Sequence, residues 1–275
     1  MEVGIAMAIS SEPASFDEQL AAFVELGIKK TFIAAKHPKH EEAMQKLTAA
    51  GITCETFHAS VKGAKNGVPF EMKDLREDDG EKGDYMLELL LENIDSCARY
   101  GVPVLVVHGP GGRPQEPWPE IMTKRLDTLM KHAEDKGVKI AFENLSNAQN
   151  LLILLENIPN AGFCWDCGHQ YCNTNDTRFM HHVGDRVIAL HIHDNNCIRR
   201  EDLHLIPYDG KVDYEEVAYD IAKSGYDGAM MLEISYGKDG RYVNNMDFKA
   251  FAKKAYDAAT RIIERVEFYK KELAK

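Results

Sequence analysis

The chain has no apolar run near the roughly 18 residues of a membrane span. Its first stretch, MEVGIAMAISSEPASFDEQ, has no basic region, and its apolar segment is too short for a secretory signal. Cysteine is sparse: the six residues at positions 54, 97, 164, 167, 172 and 197 are too few for a disulfide scaffold. These absences predict a soluble, cytoplasmic protein that makes no use of a membrane. Positive charge is also in deficit, with 33 Lys and Arg against 44 Asp and Glu and a formal charge of −11. That balance opposes polyanions, so no nucleic-acid partner is expected. The composition, 44% hydrophobic and 28% charged, excludes a disordered or fibrous chain. At this size roughly 75% of the surface exposed by the unfolded chain is buried on folding, enough for a full core without disulfides.

Short β-rich apolar runs alternate with longer segments of helical period, the order of βα units around a parallel sheet. Strands are predicted at Val3–Ala8, Thr31–Ala35, Thr53–Phe57, Val104–Val107, Lys139–Phe142, Ala161–Trp165, Val187–Ile192 and Ala229–Leu232. Between them fall helices over Phe16–Leu26, about Glu41–Ala50, Tyr85–Tyr100, Ile121–Lys136, Leu151–Ile158, near Thr177–Val183 and Tyr214–Lys223, with a last one from about Met246. Ser15 is the expected N-cap of the first helix and Gly27 its stop. The polar stretch Ala59–Gly83 reads as a surface loop. Eight strands with eight helices are the count of a closed (β/α)8 TIM barrel, which takes about 250 residues as one domain. No repeat or composition break divides residues 1–275, so a single domain is expected.

Polar residues cluster where six of these strands end: His58 in ETFHAS, His108 in VLVVHGP, Glu143 in KIAFENL, Asp166 and His169 in GFCWDCGH, His191 and His193 in IALHIHDNN, and Glu233 in AMMLEIS. In a barrel those ends converge on the face that carries catalysis. Asp202 and His204, in REDLHLIPYDG after the seventh strand, are within reach of the same cavity. One His or Asp at a strand end is ordinarily a cap or a satisfied polar group. Six consecutive strands ending this way are not, because converging carboxylates and imidazoles need a counter-charge. A divalent cation supplies it, and Asp, Glu and His are normal ligands for one.

The ordered set VVHGP, AFENL, CWDCGH, LHIHDN, DLHLIPYDGKVDY and MMLEI resembles the xylose isomerase-like TIM barrel superfamily over nearly the whole chain. That superfamily includes sugar phosphate isomerases/epimerases, ketose 3-epimerases and endonuclease IV. In the epimerases the metal is held by a Glu, an Asp, a His and a Glu, which fall on Glu143, Asp166, His191 and Glu233. His191 is chosen over the alternative His193 because the family ligand lies three residues before an acidic residue, here Asp194. The resemblance to endonuclease IV implies a second set, since every residue type of its trinuclear zinc cluster is present: His58, His108, Glu143, Asp166, His169, His191, Asp202, His204 and Glu233. The five residues beyond the epimerase set therefore read either as substrate-binding groups around one metal or as ligands of additional metals.

Moving a carbonyl along a sugar, or inverting the carbon beside it, requires removal of a proton from that carbon. A cation chelated by the carbonyl and hydroxyl oxygens stabilises the resulting enediolate. Glu143 and Glu233 are suited to remove the proton and return it, each also a ligand in the resembling epimerases. His108 and His169 are candidates to hydrogen-bond substrate oxygens, and Arg199 and Arg200 to hold a phosphate or carboxylate. The oxygen-rich epimerase set favours Mn²⁺, Mg²⁺ or Co²⁺, whereas recruiting the extra histidines favours Zn²⁺. The expected activity is a metal-dependent isomerase/epimerase of carbohydrate metabolism, acting on a small-molecule carbohydrate. Its alternatives are an endonuclease IV-like phosphodiesterase and a metal-dependent lyase/hydratase of oxidised sugars. A homo-oligomer is compatible with all three.

Other motifs carry less. Gly109–Pro114 lacks the Lys–Ser/Thr of a phosphate loop and reads as a turn at the cavity mouth. Cys164 and Cys167 flank Asp166 on a strand rather than opening a helix, which argues against a redox pair. The run Lys36–His40 is the best local candidate for anion contact, and His181–His182 reads as surface.

Overall fold

The computed structural model describes residues 1–77, 80–110 and 119–275. Eight parallel strands form the sheet: β1 (Val3–Ile5), β2 (Lys30–Ala34), β3 (Thr53–His58), β6 (Val104–His108), β7 (Lys139–Glu143), β8 (Gly162–Asp166), β9 (Val187–His191) and β10 (Met230–Leu232). Their spatial order is β10-β1-β2-β3-β6-β7-β8-β9. The two end strands meet just past β9, where Ile192 bridges Leu232 in parallel. Ile192 N–H donates to Met231 O at 2.9 Å and Glu233 N–H to Ile192 O at 3.0 Å. The sheet is thereby a nearly closed (β/α)8 TIM barrel.

Helices α1 (Phe16–Leu26), α2 (His40–Ala49), α3 (Glu81–Tyr100), α4 (Glu120–Asp135), α5 (Ala148–Asn157), α8 (Tyr214–Ser224) and α9 (Phe248–Leu273) lie between or after the strands. Ser15 caps α1 by accepting from Glu18 N–H, and Gly27 ends it at φ 71°. The strands alternate between two apolar environments. Leu105, Val107, Ile140, Phe142, Phe163, Trp165, Leu190 and Leu232 belong to the large core shared with the helices. Val104, Val106, Ala141, Cys164 and Ala189 form a separate cluster, as do Phe32, Ala229 and Met231. The period of two along a strand makes these smaller clusters the barrel interior.

Three expectations need correction. Residues 59–83 are not a plain loop: β4 (Lys62–Lys65) and β5 (Val68–Glu71) form an antiparallel hairpin, followed by a 3₁₀ turn over Met72–Arg76. The hairpin turns at Asn66 (φ 53°) and Gly67 (φ 77°), two residues suited to the left-handed backbone of a tight hairpin loop. Cys167 does open a helix, α6 (Cys167–Asn173), because the Asp166 side chain accepts from His169 N–H and caps it. Both thiols are nonetheless free and buried, and burial pushes Cys164 up to about 12 and Cys167 well above its usual value, which leaves no reactive thiolate. His40 is not an anion contact, since it is buried at the start of α2 against Phe57 and Tyr100. A short helix, α7 (Phe179–Val183), carries half-exposed His181 beside Asp220. The turn expected at Gly109–Pro114 extends beyond Pro110 into residues outside those described.

Candidate metal centre

Strand parity builds the site. Counting up each strand in twos from the interior residues leads from Val106 to His108, from Ala141 to Glu143, from Cys164 to Asp166, from Ala189 to His191, and from Met231 to Glu233. The polar groups therefore form the next inward layer, at the C-terminal ends, above an apolar floor. Register reinforces the convergence, for His108 pairs with Glu143 and Asp166 with His191. Glu143, Asp166, His191 and His193 are buried.

Ligand-type atoms gather into three sets, each with its members within 4.8 Å of one another: Glu143, Asp166, His191 and Glu233; His58, His108 and Glu143; and His169, His193, Asp202 and His204. Glu143 belongs to the first two sets. Its Oε2 lies 3.4 Å from His58 Nε2 and 3.3 Å from His108 Nε2, and its Oε1 lies 3.3 Å from Nδ1 of both His169 and His191. Asp166 adjoins the third set through Oδ1, 3.1 Å from His193 Nε2. The structure thus brings together every His, Asp and Glu of the sequence-predicted site, and adds His193 to the third set. Arg199 and Arg200 lie exposed in the loop after β9.

Hydrogen bonds to the backbone fix three of the imidazoles. His58 Nδ1 is 3.0 Å from Ala59 O, His169 Nδ1 is 3.0 Å from Asn144 O, and His204 Nδ1 is 2.7 Å from Glu233 O. A carbonyl oxygen only accepts, so each of these Nδ1 atoms carries a proton. The remaining nitrogens face carboxylates: His58 Nε2 toward Glu143, His169 Nε2 at 3.5 Å from Asp202 Oδ2, and His204 Nε2 at 3.0 Å from the same oxygen. An unprotonated nitrogen and a carboxylate in that position repel unless a proton or a cation lies between them. The His191 ring lies roughly parallel to those of Phe32 and His58, with ring centroids 4.7 and 5.9 Å away.

The residues fit a cation. Both oxygens of Glu143, Asp166 Oδ2, Glu233 Oε2, Asp202 Oδ1 and both ring nitrogens of His191 and His193 are buried without a hydrogen-bond partner. Buried polar atoms are normally paired, so a cluster of orphaned acceptors calls for an ion. The protonation balance agrees. Burial works to raise the Glu143 carboxyl, but His191, His108 and His169 outweigh it and hold it well below the usual carboxylate range. Burial works to lower the imidazoles, but Glu143 raises His58, Asp166 raises His169 well above its usual value, and Asp202 raises His204. A divalent ion would take the place of the protons that these histidine–carboxylate contacts favour.

Two supporting residues escaped the sequence reading. Asn144 makes a reciprocal pair with the Asp166 backbone, donating to its carbonyl at 2.7 Å and accepting its N–H at 2.8 Å. Its place beside Glu143 in AFENL was the available signal. Gly168 makes room for His193, since a Cβ there would lie 2.1 Å from the imidazole ring.

A βα barrel with its polar centre at the C-terminal strand ends has the layout of barrel enzymes. The chain belongs to the xylose isomerase-like TIM barrel family, whose profile matches residues 21–270. Curated relatives are uncharacterized. A Sinorhizobium fredii protein, y4fM, is 29% identical over 196 residues, covering 66% of this chain and 61% of its own. A Methanocaldococcus jannaschii protein, MJ1311, is 30% identical over 167 residues, covering 54% and 56%. The chain thus spans about three fifths of the length of these relatives. Among solved structures, an L-ribulose 3-epimerase superposes with TM-score 0.75 at 14% identity, covering 100% of this chain and 97% of the other. A D-tagatose 3-epimerase-like protein gives 0.71 at 21%, covering 99% and 100%, and the IOLI protein with a bound zinc atom gives 0.71 at 16%, covering 98% and 99%. At these identities the likeness is one of fold. No helix among the described residues is long and apolar enough to cross a membrane.

Proposed function

We propose that the chain is a divalent-metal-dependent isomerase or epimerase of a small sugar or sugar phosphate, with the ion held by Glu143, Asp166, His191 and Glu233. One observation carries the reading. Two carboxylates from strands three places apart in the barrel converge on one imidazole nitrogen, Glu143 Oε1 at 3.3 Å and Glu233 Oε2 at 3.4 Å from His191 Nδ1, and neither oxygen has a hydrogen-bond partner. A divalent cation there supplies Lewis-acid charge that lowers the cost of negative charge on substrate oxygens. The protein groups do the proton chemistry. One of Glu143 and Glu233, as the carboxylate, takes the proton beside the carbonyl from its side of the substrate, and the other, carrying a proton, delivers it from its own side. His108 hydrogen-bonds a substrate oxygen. The floor of Val106, Ala141, Cys164, Ala189 and Met231 keeps water from below the reacting carbon.

The three neighbouring ligand sets favour a second reading, a phosphodiesterase with more than one ion. The formal charge of −11 opposes it for duplex DNA. The test loads purified protein with Mn²⁺, Co²⁺, Mg²⁺ or Zn²⁺ and offers ketoses, aldoses, their phosphates and an abasic duplex. Interconversion of a sugar is expected, and with metal re-saturated either Glu143→Gln or Glu233→Gln should lower it by the ~10²–10⁴-fold typical of general acid–base loss. Efficient cleavage of the duplex with no sugar turnover would replace this proposal by the second reading.

A further inference from the structure

The first residue after His193 in LHIHDN is an aspartate at the rim of the centre, yet it belongs to none of the three ligand sets. Asp194 is fully buried. Its oxygens are already used. Oδ1 accepts from Asn195 N–H at 2.8 Å and Val212 N–H at 3.0 Å, and Oδ2 accepts from Tyr208 N–H at 2.8 Å and Gly210 N–H at 3.0 Å. Its backbone makes a two-way bridge to Leu205, with N···O distances of 2.8 and 2.9 Å. Residues 195–212 are therefore folded back onto one side chain. This is the segment that carries Asp202 and His204.

The segment needs such an anchor. Cys197 (φ 58°), Arg200 (φ 69°), His204 (φ 51°) and Tyr208 (φ 74°) all adopt left-handed backbone without being glycine, a conformation that persists only where surrounding contacts impose it. His204, itself in the third set, is one of them. Its orientation depends on the loop path, because its ring bonds Glu233 O and its carbonyl accepts from Ser235 N–H at 2.9 Å. Gly210 is fitted closely against the anchor: a Cβ there would lie 2.4 Å from both Asp194 Oδ1 and Asn195 O.

We propose that Asp194 is a positioning residue whose carboxylate clamps the 195–212 loop so that Asp202 and His204 complete a second ion site beside the Glu143/Asp166/His191/Glu233 set. This rests on reading the centre as metal-binding. Asp194→Asn keeps the size of the side chain but turns an N–H group toward two backbone N–H donors. Gly210→Ala presses on the same clamp from the other side without touching any ligand.

The experiment counts Zn²⁺ ions per chain and their affinities by equilibrium dialysis for the native protein, both variants and Asp202→Asn. Hydrogen exchange of residues 195–212 and the thermal midpoint are measured alongside. The native chain is expected to bind at least two ions. In both clamp variants the weaker class should lose affinity by the ~10–100-fold typical of groups that orient metal ligands, less than in Asp202→Asn, while the tighter class changes less than about threefold. Exchange in 195–212 should rise at a folded midpoint. Native binding in both clamp variants overturns the proposal, as does equal loss of both classes. One ion in the native protein overturns the second site that the clamp is said to complete, whereas none overturns the reading of the centre itself.

Discussion

Asp166→Asn separates the metal-binding role of this carboxylate from its structural one, because its two oxygens do different things. Oδ1 accepts from His169 N–H at 2.6 Å and caps α6, while Oδ2 has no hydrogen-bond partner. An asparagine keeps the capping oxygen and the volume. The reciprocal bonds between Asn144 and the Asp166 backbone do not involve the changed group. Loss of a cap costs about 0.5–2 kcal/mol, and that loss is avoided, so α6 should keep its start in the metal-free variant. The ion site fares differently. One of three carboxylates in the four-residue set becomes neutral, and an N–H group replaces the free oxygen. Groups that only support a metal ligand are worth ~10–100-fold in affinity, so removing a ligand should exceed ~100-fold, about 2.7 kcal/mol. Competition against a chromophoric chelator measures this directly, with circular dichroism as the control for folding. A folded variant with native affinity would refute the assignment of Asp166.

Gly168→Ala should destabilise by about 1–3 kcal/mol through overpacking against His193, read as a lower urea midpoint at unchanged slope. An unchanged midpoint would contradict the placement of that ring. His40 offers a pH test away from the centre. Burial lowers its pKa from the usual 6.5. As pH falls below that value, the unfolded chain takes up a proton that the folded chain resists, so this residue's contribution to stability is lost progressively until the depressed folded value is passed. The stability difference between native protein and His40→Phe should therefore shift in favour of the variant between pH 7.5 and 5.5, in denaturant titrations at both. A difference independent of pH would contradict the assignment.

The barrel was legible because its strands, buried on both faces, read as short apolar runs, while its amphipathic helices show the 3.6-residue period. The candidate centre was legible for a related reason. Once Val106, Ala141, Cys164 and Ala189 point inward, His108, Glu143, Asp166 and His191 must do so too. What did not show was set by local geometry against composition. The β4–β5 hairpin is too polar to read as strand, although Asn66-Gly67 marks its turn. Helix α6 was hidden because Asp166 both ends a strand and caps the helix that begins at Cys167. His193, read only as the alternative to His191, follows the same parity but lies past the end of β9, where a sequence does not say whether the chain continues straight. The loop that carries Asp202 and His204 reverses through four left-handed non-glycine residues, a path that no residue preference announces.

Proton exchange at the substrate carbon tests the central claim most directly. Native protein loaded with Mn²⁺ or Co²⁺ would be incubated in D₂O with a panel of ketoses, aldoses and their phosphates, and the carbon beside the carbonyl followed by NMR. Deuterium is expected at that carbon for at least one substrate, abolished by chelation and restored by the ion. Metal-loaded protein that leaves every sugar in the panel unexchanged would contradict it.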